Sequence, residues 1–182
     1  MSRGWRSPPL AFAAALLLAL LVTGGQGYLY QARRSTGRPA VARVGQTVTV
    51  GGAQVVVRSI QEAAELPAQD AGSPPVHGPP GSLLVLVTWE QTVVDPAVDL
   101  GARYCDTALV ADDGTTWDEE SDAVTGVRRP AALTCSGSDD RPLVRGEPQE
   151  VGQLYLIPAA YGPRVRWRLS VVDHGPAVEF AR

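Results

Sequence analysis

The strongest hydrophobic pattern in the chain lies in residues 82–94, SLLVLVTWEQTVV. Leu83, Val85, Val87 and Trp89 share one side of an extended chain, and Leu84, Leu86, Thr88 and Glu90 share the other. Leu84 and Leu86 make the start of this stretch apolar on both faces. The pattern predicts a central strand covered on both sides at its start, with one face opening to water from Thr88 onward. Residues 163–172 repeat the alternation: Val165, Trp167, Leu169 and Val171 fall on one face, and Arg164, Arg166, Arg168 and Ser170 on the other. Trp89 and Trp167 are therefore both expected in the interior.

Weaker patterns fill the rest of the chain. Residues 44–50 and 53–60 flank Gly51-Gly52, a two-residue turn signal, and predict a β-hairpin. A second hairpin is predicted where residues 107–112 and 115–117 flank Asp113-Gly114. Residues 150–157 form a further strand closed by Pro158, and residues 178–180 a short edge strand. Residues 66–82 carry Pro74-Pro75 and Pro79-Pro80 separated by Gly, and are expected to be a disordered loop. Beyond the N-terminus no stretch has a helical period. The expectation is an all-β chain: an antiparallel β-sandwich of about seven strands, preceded by one N-terminal hydrophobic helix.

That N-terminal segment sets the compartment. Arg3 and Arg6 precede an uncharged stretch that runs from residue 7 to residue 32, with an Ala- and Leu-rich centre. This is the form of a secretory signal. The apolar centre alone is shorter than the roughly 20 residues a bilayer needs. Continued to Tyr28, Leu29 and Tyr30 it is long enough, with Arg33 and Arg34 following directly and no clean small-residue cleavage site. Residues 1–32 are accordingly expected to be a signal-anchor, or else a cleaved signal peptide. Residues 33–43 are a polar linker and residues 44–182 the folded domain. The arginines at 33, 34, 38 and 43 outnumber Arg3 and Arg6, which by the positive-inside rule argues against a C-terminal domain outside. The cysteines argue for it, and outside is the placement adopted.

Composition changes the picture in two places. With 19 Gly and 15 Pro, the chain suits short strands joined by many turns. A net charge of −3 gives no electrostatic reason to expect a nucleic-acid partner.

Several of these features together resemble a known family. Val44-Gly45-Gln46-Thr47-Val48 opens the domain; residues 109–117 carry a strand, an Asp-Gly turn and an aromatic; Arg145-Gly146-Glu147 precedes a strand that holds Gly152 and ends in Leu156-Ile157-Pro158. The order resembles the immunoglobulin-like modules of unknown function on exported, often lipid-anchored proteins of Gram-positive bacteria. The resemblance spans residues 44–172. It implies a fold and a compartment, and no catalytic residues. Residues 21–25, LVTGG, lack the cysteine that would carry lipid. A peptide anchor or free secretion is expected instead.

Cys105 and Cys135 are the only cysteines. In an exported chain the expectation for a pair is a disulfide. The alternatives are free thiols or a metal site, and with His77 and His174 as the only histidines the spacing is poor for zinc. A Ser–His–Asp hydrolase can be drawn with Ser82 or Ser170, but no G-x-S-x-G elbow is present. Asp112, Asp113, Asp118, Glu119, Glu120 and Asp122 form an acidic run without the calcium-loop pattern, which reads as a solvated loop. Arg164, Arg166 and Arg168 are the best candidate binding feature. Alternate residues on a strand share a face, and a row of guanidinium groups suits phosphates or carboxylates. The competing expectation is pairing with acidic neighbours such as Glu150 or the acidic run.

The expected role is a non-catalytic binding or scaffolding module at the cell surface, needing no cofactor. Its expected partners are the cell membrane, through the N-terminal segment, and an anionic envelope polymer or a membrane protein. A small exported hydrolase and an accessory subunit of a membrane complex are the alternatives.

Overall fold

The computed structural model describes residues 39–100, 104–119, 126–130, 134–138, 141–171 and 175–182. The expected signal or anchor of residues 1–32, and the start of the linker, lie outside the described residues. Among the described residues no helix is long and apolar enough to cross a membrane.

In chain order the strands are β1 (Ala40–Arg43), β2 (Thr47–Val50), β3 (Ala53–Ala63), β4 (Glu65–Leu66), β5 (Val76–His77), β6 (Ser82–Val93), β7 (Cys105–Ala111), β8 (Thr116–Asp118), β9 (Gly137–Ser138), β10 (Arg141–Pro142), β11 (Gln149–Pro158), β12 (Val165–Val171) and β13 (Val178–Ala181). A 3-10 helix, η1 (Ala159–Arg164), precedes β12. One sheet has the order β1-β13-β12-β7-β8 and the other β11-β6-β3-β2, with two-stranded ribbons β9–β10 and β4–β5 beside them. The chain crosses between sheets from β6 to β7 and back to β11, then again to β12. That is the connectivity of an immunoglobulin-like β-sandwich.

β6 is central, as its sequence requires: it pairs with β11 along ten residues on one side and with β3 on the other. Its inward face, Val85, Val87, Trp89 and Val93, meets Leu109, Trp167, Leu169 and Phe180 of the other sheet in one core. Trp89 and Trp167 are both fully buried, with ring centroids 4.6 Å apart. In antibody domains a disulfide links the equivalent pair of strands. Here two indoles meet across the gap, and the disulfide lies elsewhere.

The outward face of β6 carries a second apolar cluster, in which Leu84 and Leu86 pack with Leu66, Val127 and Leu154. This corrects the expectation of a disordered loop over residues 66–82. Leu66 is buried, and β4 and β5 pair across the proline-rich stretch. Ala68 bridges to Val127, Gln69 N–H donates to Gly126 C=O, and Arg128 N–H donates to Pro67 C=O. Proline limits regular pairing but not packing, and apolar Leu66 supplies the anchor that a compositional reading overlooks. Pro130 completes the cover by lying on β11 at Gly152, where an added Cβ would come within 2.3 Å of the Pro130 ring.

One boundary also moves. Residues 40–43, expected as linker, form β1, which pairs in parallel with β13 and places Ala42 beside Phe180 in the core. The sandwich is therefore not wholly antiparallel. The Gly51-Gly52 turn is present as predicted, with φ of +52° and +72°. Positive φ at both positions is what a tight hairpin turn of this kind needs. Arg145 fixes the far end of the molecule: its guanidinium donates to the carbonyls of Asp95 and Val98, tying the loop after β6 to the turn before β11.

Candidate functional site

Cys105 opens β7 opposite Val171, and Cys135 lies in the short stretch before β9. They form a disulfide, with Cα atoms 6.0 Å apart and 30 residues of separation. The bridge joins one sheet to a segment that the other sheet also holds. Gln91, on the inward face of β6, donates its amide to the Cys135 carbonyl at 2.9 Å and to Gln149 Oε1 at 3.0 Å.

Beside the bridge is a cleft of about 410 Å³, walled by Cys105 and Cys135 and by Asp106, Asp118, Glu119 and Gln153. Tyr104 also lines it and is largely exposed. From the cleft a hydrogen-bonded chain runs into the core. Gln153 donates to Glu119 Oε2 at 2.9 Å. Tyr155 hydroxyl donates to Gln153 Oε1 at 2.9 Å, and Trp167 Nε1 donates to that hydroxyl at 2.8 Å. Gln153 and Tyr155 point inward because they keep phase with Val151 and Ile157 along β11. The Gln153 amide, the Tyr155 hydroxyl and the Trp167 indole N–H each have a partner in this run, which keeps the cost of burying them low.

Electrostatics at the cleft mouth centre on Glu119. Burial pushes its carboxyl above the ordinary range, against the opposing pull of Arg129 and the Gln153 amide. Arg129 is 3.8 Å away, an ion-pair distance without a hydrogen bond. Burial also raises the Tyr155 phenol, so this hydroxyl stays protonated as a donor.

The arginine row differs from its expected form. Arg164 ends η1 rather than standing on β12, donates to Ala160 C=O at 2.6 Å, and lies 6.0 Å from the Tyr161 ring. The row on the strand is therefore Arg166 and Arg168. Pro163 and Gly162 precede it, and the 3-10 turn they belong to sets Arg164 off the strand. Arg168 reaches Glu179 with Nε at 3.0 Å and Nη2 at 2.6 Å, both to Oε1. Arg166 lies 3.3 Å from Glu179 Oε2 and 3.3 Å from Asp112. Of the acidic neighbours expected to pair with the row, Asp112 does so, and Glu179 takes the place imagined for Glu150.

The acidic run divides between two places. Asp112 and Asp113 stay at the β7–β8 turn, where Asp113 accepts from Thr115 N–H at 2.9 Å and Tyr161 hydroxyl at 3.2 Å. These hydrogen bonds, the backbone one first, hold its carboxyl below the usual range. Asp118 and Glu119 face the cleft, while Glu120 and Asp122 lie outside the described residues. Among the described residues no three His, Cys, Asp or Glu groups gather as a metal would require. Of the hydrolase candidates, Ser82 donates to Pro79 C=O at 2.6 Å and Ser170 to Asp106 C=O at 3.3 Å. His77 lies 3.5 Å from Glu65, and His174 is outside the described residues.

Gln91, Gln153, Tyr155 and Glu179 are not among the candidate residues that motif and charge single out. For the first three a signal existed: each is polar or amphipathic and stands in phase with the buried residues of its strand. Glu179 sits in a strand too short for phase to be decisive.

No family model matches the chain, and no curated protein does. Solved structures do. A conserved hypothetical protein from Bacillus anthracis is similar with a TM-score of 0.50 and 13% identity, over 75% of this chain and 93% of that one. An uncharacterized β-sandwich protein from Clostridium difficile 630 is similar with a TM-score of 0.49 and 9% identity, over 80% of this chain and 95% of that one. At such identity the Bacillus anthracis likeness speaks to the fold alone, and the chain is a β-sandwich.

Proposed function

We propose that this protein is an exported binding module, tethered to the cell membrane through its N-terminal segment, that receives a ligand or partner in the cleft beside Cys105–Cys135. The reading is non-catalytic. The observation that carries it is the disulfide, because such bridges persist in oxidising compartments and are rare in the cytosol of mesophiles. The apolar stretch after Arg3 and Arg6 and the resemblance to immunoglobulin-like modules of exported Gram-positive proteins support the same compartment. The cleft is favoured over the arginine row because Arg166 and Arg168 already hold Glu179.

The test uses the full chain in intact cells. Thiols are alkylated at the moment of lysis, and a protease is added to the outside in parallel. Oxidised cysteines, retention in the carbonate-washed membrane and digestion from outside are expected. Free thiols at both positions, or protection from protease until the membrane is broken, would overturn the placement. A shortened soluble form in the medium would replace tether by secretion.

A further inference from the structure

The disulfide is both a tie between the sheets and a wall of the cleft. Cys105 is half-buried and Cys135 is buried, and both line the cavity. A thiol that reaches the bridge from the cleft passes the cleft walls. The charged side chains on its walls are Asp106, Asp118 and Glu119, and none of the described lining residues is Arg or His. Arg129 stands behind Glu119 at 3.8 Å rather than on the lining.

Disulfides are opened by thiolates, which are anions. An anionic attacker entering between carboxylates meets repulsion, and a positive group carried on the same molecule offsets it. We propose that the Cys105–Cys135 bridge is a reducible lock on the cleft, opened in the folded protein and selective for thiols that carry positive charge. The natural reductant is a dithiol with cationic groups beside its reactive sulfur. The inference rests on the bridge and the cleft walls, and it stands whether or not the cleft takes a ligand.

The incoming thiolate bonds to Cys105 Sγ, on the less buried of the two cysteines, and the S–S electron pair leaves on Cys135 Sγ, which takes a proton from solvent. The second thiolate of the dithiol displaces Cys105 from the mixed disulfide, and that sulfur is protonated in turn. The reductant loses two electrons and becomes a disulfide, and the protein gains two thiols. The covalent link from β7 to the segment around Cys135 is then gone. That segment keeps the hydrogen bond from Gln91 to its carbonyl.

The experiment follows bridge loss in the purified full chain by timed alkylation and mass measurement. The probes are cysteamine, 2-mercaptoethanol and glutathione, which carry positive, neutral and net negative charge. Each rate is taken per thiolate and divided by the rate on the denaturant-unfolded chain. The expected order is cysteamine, mercaptoethanol, glutathione. A ratio of about tenfold or more between the first and last is expected at low salt, shrinking as salt screens the walls. Tryptophan emission should stay that of the folded protein throughout, because Trp89 and Trp167 lie in the main core. Replacing Asp106 and Asp118 by Asn should compress the ratio. If that variant fails to fold, the salt series on the natural chain decides. Rates independent of probe charge, a ratio unchanged by salt, or bridge loss that tracks the unfolding of the tryptophan core would each overturn the proposal.

Discussion

The outward faces of the two sheets are finished in opposite ways. On β6, Leu84 and Leu86 are covered by apolar side chains from Leu66 and Val127, which lie in connecting segments. On β12, Arg166 and Arg168 are neutralised from a neighbouring strand by Glu179, which is itself buried. Both strands put apolar residues on the inward face, but the outward face is Leu84 and Leu86 on one and Arg166 and Arg168 on the other. The difference is that Leu has no favourable alternative to being covered, whereas Arg is satisfied equally by water or by one carboxylate. An apolar outward face therefore demands a lid. A charged one leaves the fold a choice.

The comparison can be broken most severely at the interior both faces share. Trp89→Ala should cost about 3–5 kcal/mol, enough to leave the domain largely unfolded, as read by a denaturant midpoint. Acrylamide quenching of the natural protein as free as that of the unfolded chain would contradict the burial. On the covered face, Leu84→Ala is expected to lose about 2–5 kcal/mol. An effect near that of an exposed leucine would mean that the proline-rich loop does not close over it. Gly152→Ala probes the same lid from below, since its Cβ would meet Pro130. We expect a cost of about 1–3 kcal/mol from overpacking, accompanied by faster amide exchange at residues 126–130 if the lid is what yields.

On the charged face the expected loss is smaller. Glu179→Gln should cost about 1–3 kcal/mol, because Arg168 loses its carboxylate while remaining partly able to reach water. A double-mutant cycle with Arg168→Gln measures how much of this is the pair. A coupling near zero would reduce the arginines to an ordinary solvated face.

The smallest effect concerns Glu119, which ties the lid segment through Arg129. Its carboxyl binds a proton more tightly when folded than when unfolded. Its contribution to stability is therefore full below the ordinary glutamate value and is lost as pH rises through the higher folded value. The natural protein compared with Glu119→Gln should lose ground from acid to neutral pH, by less than about 1 kcal/mol given partial exposure. A gain over that range would reverse the assignment.

How far the sequence reaches is visible in particular residues. The two-sided apolar start of β6, the burial of both tryptophans, the Gly51-Gly52 hairpin and the cysteine pairing are all written in local pattern or in count. The candidate cleft was not. It is assembled from β7, the end of β8, β11 and the stretch around Cys135, which are far apart in the chain. Gln91, Gln153 and Tyr155, residues with polar groups in phase with apolar ones, are the signal that something inside needs hydrogen bonds.

What the sequence determined by itself is what alternation and turn chemistry fix locally: that the domain is a β-sandwich, which strand is central and which side chains face its interior. Each follows from the two-residue period of a strand and from the conformational freedom of glycine. Tertiary structure alone decided what meets those faces. It placed Leu66 and Val127 over Leu84, set Glu179 beside Arg168, turned Arg164 off the strand, and split the acidic run between a turn and a cleft. A period states which way a side chain points. The partner it finds there is set by loop closure across distant segments, and no local pattern carries that information.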